Sequence, residues 1–197
     1  MRNKLGTICM ILGTVLILAA LSLFLWNRRE AEQAGEAAAD ILPLVVEQIA
    51  ETAAEDPAPP DPFDPTMTEV EIDGYLYIGY LSIPALGLEL PVMSEWDYNR
   101  LNIAPCRYSG STKTDDLVIA AHNYARHFGN LSRLAAGDEV YFVDMDGVLS
   151  AYQVAEVEVL SPFAVEEMTD GEFALSLFTC TYGGQSRVTV RCQRPSE

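Results

Sequence analysis

The chain has 197 residues, of which 49% are apolar and 21% charged, enough for one domain of ordinary size and an additional segment. Its 29 acidic and 12 basic residues give a formal charge of -17, which would repel a phosphate backbone and argues against nucleic-acid binding. Four cysteines are too few for a disulfide-built scaffold. No CxxC pair is present, which argues against a zinc finger or a thioredoxin-type site.

The charges divide the chain into three segments. Residues 1–29 carry basic side chains and no acid, residues 30–73 carry 13 acids and no base, and residues 74–197 carry 16 acids and 8 bases. We therefore predict a membrane anchor with basic flanks, an acidic helix and linker, and a C-terminal domain with these boundaries.

The first segment contains 22 uncharged residues, from Leu5 to Trp26. As a helix this run would be roughly 33 Å long, enough to cross the hydrocarbon core of a membrane. The alternative is a cleaved signal peptide, but its apolar stretch normally has about 7–15 residues. The longer run and the lack of a clear small-x-small cleavage site favour an uncleaved anchor. Both flanks are basic, so the charges leave the orientation nearly balanced.

The second segment is predicted to form a helix and then a stiff linker. Residues 30–55 are rich in Ala and Glu, and the apolar side chains recur at helical spacing; we expect Pro43 to interrupt the helix or to start a turn. The run 56–65, DPAPPDPFDP, holds five prolines and is expected to be extended, with Phe63 in its middle. The residues at helical spacing are Ile41, Leu44, Val45, Gln48 and Ile49.

The third segment is predicted to be mainly β. Short apolar or alternating runs are separated by Gly, Pro and Asp, and residues 144–147 are typical of a hairpin turn. Seven or eight short strands with few helices favour a barrel or a sandwich. Short helices are expected near 128–135 and 163–171. The predicted strands are 75–83, 88–93, 117–121, 140–143, 149–160, 175–181 and 187–192.

Three side chains of this segment could form a nucleophilic site. His122 follows the apolar strand 117–121, Cys180 lies at the end of another strand, and Arg187 begins the next. An imidazolium can populate a thiolate, and an arginine can donate to an oxyanion. Taken alone, Cys180 would more often be a small core residue and His122 a surface residue.

The surrounding residues resemble the motifs of the sortase family. Ser176-Leu-Phe-Thr-Cys180, followed by Arg187-Val-Thr-Val-Arg191, is similar to the TLxTC strand and the arginine strand that follows it. Ile119-Ala-Ala-His-Asn123 resembles the apolar strand that ends in Gly-His. Leu81-Ser-Ile-Pro-Ala-Leu-Gly-Leu-Glu-Leu-Pro-Val92 resembles the IPxxxxxxLPV opening of the domain. The resemblance covers roughly residues 75–194, with the motifs in the family's order.

The resemblance implies a closed eight-stranded β-barrel and a cysteine transpeptidase anchored in the cell membrane, with its catalytic domain outside the cell. Cys180 would attack the Thr–Gly bond of an LPxTG-like sorting signal on a surface or pilin protein. An amine of a cell-wall precursor or of a pilin lysine would then accept the acyl group. His122 would be the acid and base, Arg187 would hold the substrate and the oxyanion, and Thr179 would contribute to the pocket. No cofactor is implied.

The sequence departs from the family pattern at several positions. Ala121 stands where a Gly usually precedes the histidine, Ser176 replaces the Thr of TLxTC, and Cys192 replaces a common Gly. Arg191 is the alternative to Arg187, since both lie on one face of a strand; the pattern favours Arg187. The second histidine, His127, is expected on the surface.

Asp61-Pro62-Phe63 resembles the Asp-Pro-aromatic lid of pilin-polymerising sortases. Phe63 could fill an apolar groove while Asp61 pairs with Arg187. The alternative is an acidic spacer in which the tripeptide arose by chance, because five prolines and three aspartates in ten residues make such pairs common. The sortase subclass therefore stays open.

Two further predictions concern the cysteines and metal binding. Cys9 lies in the anchor, and Cys106 and Cys192 are expected not to form a disulfide. Some sortases bind calcium through clustered acids, but acids are abundant along this chain, so a solvated surface is expected instead. The candidate acids would be Asp115, Asp116, Asp138 and Glu139.

Other functions compete with transpeptidation. A cysteine peptidase that transfers the acyl group to water would use the same residues. A membrane-tethered β-barrel that only binds its ligand, with an inactive triad, is a hypothesis of another class. An L,D-transpeptidase also pairs Cys with His, but its SHGC-type motif is absent.

Overall fold

The computed structural model describes residues 2–54 and 64–195, and its longest element is the single helix α1 (Arg2–Ala54). By length and composition this helix could cross a membrane. Its large apolar side chains in the N-terminal half are exposed, as at Met10 and Trp26, where 74% and 72% of the residue surface is accessible. Exposed apolar residues on all sides of a helix suit a lipid environment.

The C-terminal half of α1 packs on the β domain. Its buried residues are separated by three or four positions and form one stripe, which confirms the predicted helix, although Leu44, one of the residues at helical spacing, is 40% exposed. Pro43 does not interrupt the helix, so that prediction was wrong. The proline lies on the exposed face, where water can bind the carbonyl that its missing N–H leaves free, while Ile41 and Val45 on either side are buried. The stripe consists of Ala34, Ala38, Ile41, Val45 and Ile49.

The β domain is a closed mixed barrel of eight strands, with a ninth short strand added beside the second. The strands are β1 (Val70–Ile72), β2 (Tyr75–Ile83), β3 (Leu88–Met93), β4 (Cys106–Ser109), β5 (Leu117–Ala120), β6 (Glu139–Asp144), β7 (Leu149–Leu160), β8 (Leu175–Cys180) and β9 (Arg187–Gln193). The spatial order of the barrel strands is β2-β3-β4-β5-β8-β9-β7-β6, and pairing of β6 with β2 closes the barrel. The pairs β3–β4 and β5–β8 are parallel, and the others are antiparallel.

All seven predicted strands are present, with ends that differ by at most one residue. The strands β1 and β4 were not predicted. The helix expected near 128–135 is only a 3₁₀ turn at Leu131–Arg133, and the one near 163–171 is the four-residue helix α2 (Val165–Met168). The predicted hairpin turn is confirmed, because the carboxylate of Asp144 accepts hydrogen bonds from the backbone N–H groups of Asp146 and Val148.

Two apolar clusters hold these elements together. The first fills the barrel and includes Leu81, Phe142 and Leu177, each at most 1% exposed. The second lies between α1 and the barrel, where Val45 packs in the cluster that also holds Tyr77. Each fully buried side chain of this size contributes about 1.5–3 kcal/mol. The stripe on α1 therefore fixes the helix to the domain that carries the site.

The cysteines are free thiols, as expected for Cys106 and Cys192. Cys192 belongs to the barrel cluster and Cys106 to the cluster beneath α1, so the two belong to different parts of the core. Burial raises the pKa of each thiol to about 12.

Candidate active site

The hairpin between β8 and β9 places a cysteine opposite an arginine. Cys180 is the last residue of β8, Arg187 is the first of β9, and the two are paired in the antiparallel ladder. The backbone N–H of Thr181 donates to the carbonyl of Ser186 (2.9 Å), and that of Gly184 to the carbonyl of Thr181 (2.8 Å). Gly184 has φ = 75°, which glycine adopts without strain. The short loop thus brings Arg187 directly beside the cysteine.

The parallel pair β5–β8 brings the histidine to the same end of the barrel. The backbone N–H of Ala121 donates to the carbonyl of Phe178 (3.2 Å), extending the ladder one residue beyond β5. The Thr179 hydroxyl donates to the carbonyl of Ala121 (2.8 Å) and is buried. His122, the next residue, is therefore attached to the strand that carries Cys180.

His122, Cys180 and Arg187 all line one cavity of about 240 Å³. The structure thus brings together the three residues that the sequence predicts as catalytic. Thr179 also lines this cavity, as predicted, although its hydroxyl is directed to Ala121.

The walls of the cavity are largely aromatic and apolar. One wall is a row of rings, in which Trp96 lies 5.7 Å from Tyr98 and 5.5 Å from Tyr108, measured between ring centroids. Tyr108 in turn meets Phe178 edge to face at 5.2 Å. Further lining comes from residues within 161–168, directly after β7 and in α2. Such walls suit an extended apolar peptide segment.

Sequence reasoning missed this aromatic wall. Phe178 could have been found, because it lies two residues before Cys180 on β8 and so shares a face with it. Trp96 and Tyr98 come from the connection between β3 and β4, whose course carries no motif.

The protonation of His122 is governed by two opposing influences. Burial lowers the pKa of the imidazole, and the Glu30 carboxylate on α1 opposes that shift. A histidine that is neutral near neutral pH can accept a proton from a thiol or an amine.

Arg187 is held through a single nitrogen. Its Nη1 donates to the carbonyls of Gly184 and Ser186, each at 3.1 Å. Among the described residues no hydrogen bond to its Nε or Nη2 is found, so donors remain for an oxyanion or a substrate carbonyl.

Arg191 lies on the same face of β9, as the period of two predicts, but four residues further along the strand. It is 3% exposed and forms an ion pair with Glu158 (2.7 Å). It also donates to the Ser176 hydroxyl (2.9 Å) and to two carbonyls of the α2 region. With these partners Arg191 is a structural residue, and Ser176 supplies it with a hydroxyl acceptor.

The prediction that His127 lies on the surface was wrong. The residue is 0% exposed, because a tight turn, with the N–H of His127 donating to the carbonyl of Tyr124, folds it under α1. Its Nε2 lies 3.3 Å from the carbonyl of Ala34. Burial lowers the pKa of His127 to about 4, so the ring is neutral at physiological pH.

Two predictions remain without a structural outcome. The lid residues Asp61 and Phe63 lie outside the described residues. For calcium, the described part of the chain holds no group of three or more His, Cys, Asp or Glu side chains that could bind a metal ion. Of the candidate acids, Asp115 pairs with Arg194 at 2.8 Å and Asp138 accepts from a backbone N–H.

The barrel thus carries a thiol, an imidazole and a guanidinium around one cavity. The family model described as the sortase domain matches residues 81–195, more than half of the chain. The chain therefore belongs to the sortase family.

Comparison with individual proteins agrees with this assignment. A curated relative, sortase A of Bacillus anthracis, is 30% identical over 125 residues, which is 59% of this chain and 59% of the relative. The matched region thus spans less than two thirds of that relative. Sortase C1 from Streptococcus suis has a TM-score of 0.52 at 27% identity, covering 61% of this chain and 74% of that one. Streptococcus pneumoniae sortase C, at 22% identity, shares the fold with a TM-score of 0.58 over 82% of this chain and 97% of that one.

Proposed function

We propose that this chain is a membrane-anchored sortase that cleaves an LPxTG-like sorting signal and transfers the acyl group to an amine. The observation that carries the proposal is the one cavity that His122, Cys180 and Arg187 all line, with Cys180 paired to Arg187 in the ladder. Cys180 and Arg187 lie on two strands and His122 follows a third, so a structural role in one strand would not explain their convergence.

In the first step the Cys180 thiol transfers its proton to His122 and its sulfur attacks the carbonyl carbon of the Thr residue of the signal. Arg187 donates to the oxygen that becomes negative. The Thr–Gly C–N bond then breaks, and the imidazolium of His122 gives its proton to the leaving amine. A thioester on Cys180 remains.

In the second step an acceptor amine attacks the thioester carbon. His122, again neutral, takes a proton from this amine, and Arg187 again stabilises the oxyanion. The C–S bond breaks, the new amide forms, and the Cys180 thiolate recovers a proton from His122. The step requires no cofactor and no redox partner. The amine belongs to a cell-wall precursor or to a pilin lysine, as the family resemblance implies.

The walls of the cavity support a peptide substrate with apolar residues before the scissile bond. Trp96, Tyr108 and Phe178 offer flat apolar surfaces that lead to the thiol. A Leu-Pro pair could lie against these rings with little loss of side-chain entropy, because proline is already restricted.

The long helix supports the proposed location in the cell membrane. The uncharged run of α1 would cross the bilayer, and the stripe that begins at Ala34 would hold the barrel at its surface. The proposed substrates are exported proteins with C-terminal sorting signals, so the barrel is placed on the outer face.

Incubation of the full chain in nanodiscs with pooled LPxTG-like peptides and an oligoglycine or lysine acceptor tests the proposal. Mass spectrometry would detect the thioacyl adduct on Cys180 and the ligated product. Cys180→Ala is the inactive variant, and Cys192→Ala, which removes a buried thiol, is the matched control.

Each outcome discriminates between functions. Ligation by the wild type and by Cys192→Ala, but not by Cys180→Ala, would support the transpeptidase. Cleavage with no ligation to any acceptor would favour the hydrolytic peptidase. Peptide binding that survives Cys180→Ala, without any adduct in the wild type, would favour the binding module.

A further inference from the structure

The face of α1 that packs on the barrel begins at Ala34, and Glu30 lies on the same face one helical turn earlier. Ala34, Ala38 and Ile41 are buried in this face. Glu30 lies four residues before Ala34, and at 3.6 residues per turn this places it on the same side of the helix, one turn closer to the membrane. Glu30 is exposed, on the helix face that is turned toward the barrel beyond Ala34.

The barrel presents the loop that begins with His122. The Nε2 of His127 lies 3.3 Å from the carbonyl of Ala34, so this loop touches α1 one turn from Glu30. From His127 the contacts lead back to the site, because the Tyr124 ring lies 5.8 Å from the His127 ring and 4.9 Å from the His122 ring. Tyr124 thus links His127, which contacts the helix, to the imidazole of His122.

The packing at this contact is close. A Cβ added at Gly35, the residue after Ala34, would lie only 2.6 Å from Cδ of Arg126 in the same loop. The absence of a side chain at Gly35 lets the loop lie directly against the helix.

The charged groups around His122 come from three directions. The Cys180 thiol on β8 and Arg187 on β9 line the same cavity as His122. Arg126 and the neutral His127 lie in the same loop as His122, and Glu30 faces them from α1. The Glu30 carboxylate raises the pKa of both His122 and Tyr124, so its field reaches both rings.

We propose that Glu30 of the anchor helix is a positioning residue that acts through His122: its carboxylate stabilises the imidazolium that forms when Cys180 is deprotonated. The inference deepens the proposed function, because that imidazolium is an intermediate of the transpeptidation. A half-buried imidazolium is costly to form, and the negative charge of a nearby acid offsets part of that cost.

The proposal makes the membrane helix part of the active site. The apolar stripe fixes α1 on the barrel, and Glu30 lies only four residues after Trp26, where the uncharged run ends. Docking of the helix thus supplies a charge that the barrel itself does not direct at His122 among the described residues.

The chain offers a direct test, because it contains only two histidines. With ¹³C-labelled histidine, the full chain in nanodiscs gives two ring signals, which His127→Gln assigns. Titration at low ionic strength would give the pKa of His122 in the wild type, Glu30→Gln, Glu30→Asp and Glu36→Gln. Glu36 is the matched control, since it is exposed on another face of the same helix and its substitution removes the same charge.

The expected result is a lower His122 pKa in Glu30→Gln, partial recovery in Glu30→Asp, and no change in Glu36→Gln. The pH profile of ligation, or of Cys180 alkylation, should shift in Glu30→Gln alone. An unchanged His122 pKa in Glu30→Gln, or an equal shift in Glu36→Gln, would overturn the proposal. The titration needs no substrate, so it separates failure of this inference from failure of the proposed function, which the ligation assay tests independently.

Discussion

Each end of the β8–β9 ladder holds an arginine, but one guanidinium lies beside the cavity and the other is buried. At one end Arg187 is opposite Cys180 beside the cavity, and only its Nη1 is bound, to carbonyls of its own loop. At the other end Arg191 is opposite Ser176 and is 3% exposed, with four acceptors around it. Both arginines lie on one face of β9, so the difference in their hydrogen bonding comes from their position along the barrel and not from the strand that carries them.

The difference shows what makes a polar residue of this barrel available for chemistry. At the end of the ladder that carries Arg191, neighbouring elements enclose the guanidinium and every donor must be satisfied internally. At the strand end the barrel opens, and donors can remain for a ligand. The cysteines follow the same rule, since Cys192 is fully buried whereas Cys180 is half-buried beside the cavity.

Alanine substitution of each of the two cysteines in turn should give the largest contrast in ligation activity. Cys180→Ala should abolish the thioacyl adduct and all ligation, with the unfolding free energy nearly unchanged, because the thiol is the nucleophile. Cys192→Ala should keep ligation and lose about 1 kcal/mol of stability. Mass spectrometry of the adduct and chemical denaturation check the two effects. An adduct in Cys180→Ala would place the nucleophile elsewhere.

The arginines should differ in the same way. Arg187→Ala should lower kcat/KM by about 10²–10³, the usual effect of removing one oxyanion donor, and change stability by less than about 0.5 kcal/mol. Ligation kinetics at several peptide concentrations measure the first effect.

Arg191→Ala is the counterpart. It should destabilise the protein by about 3 kcal/mol, because Glu158 and the carbonyls at Glu167 and Met168 lose their shared donor. Activity per folded molecule should be retained. Equal losses of activity per folded molecule in both variants would contradict the distinction between the two ends of the ladder.

Most of the fold could be predicted because strands with one buried face show a period of two or a short apolar run. The strand β5 (Leu117–Ala120) is buried at every residue, and β7 (Leu149–Leu160) alternates. The strand β4 (Cys106–Ser109) could not be found, because its four residues neither alternate nor form an apolar run: only Cys106 is buried, and the other three are half-buried. Pro43 was misjudged because tertiary packing on both sides of it outweighs a local helix-breaking preference.

The site was only partly predictable. The positions of His122, Cys180 and Arg187 follow from local motifs at strand ends, because the residues next to them in the sequence predict where each strand ends. His127 and Glu30 depend on how α1 lies against the barrel, which is a long-range contact that no local pattern encodes. The pair Gly35 and Arg126 is a case in point, since neither residue signals the other in the sequence.

The buried histidine should give stability a pH dependence of its own. In the folded protein the pKa of His127 is about 4, below the ordinary 6.5, so between these values the unfolded chain binds more protons. Stability from this residue is complete above about pH 6.5 and is lost as the pH falls toward 4, on the order of 3 kcal/mol in all.

His127→Gln, whose amide can still donate to the Ala34 carbonyl, should lose this dependence. Chemical denaturation of both proteins at several pH values, followed by near-ultraviolet circular dichroism, gives the difference. Acid sensitivity equal to that of the wild type would show that other groups cause it.

The smallest effect should come from the bond that joins the histidine strand to the cysteine strand. Thr179→Val keeps the shape of the side chain but removes the hydroxyl that donates to Ala121, which should cost about 1–2 kcal/mol. Since His122 follows Ala121 directly, its placement should also suffer, lowering kcat about tenfold with little change in KM. Thr179→Ser keeps the donor and should restore kcat. If Thr179 instead binds substrate, KM should rise in the valine variant, because its cavity-facing side would then have lost a substrate contact rather than a support for the neighbouring strand.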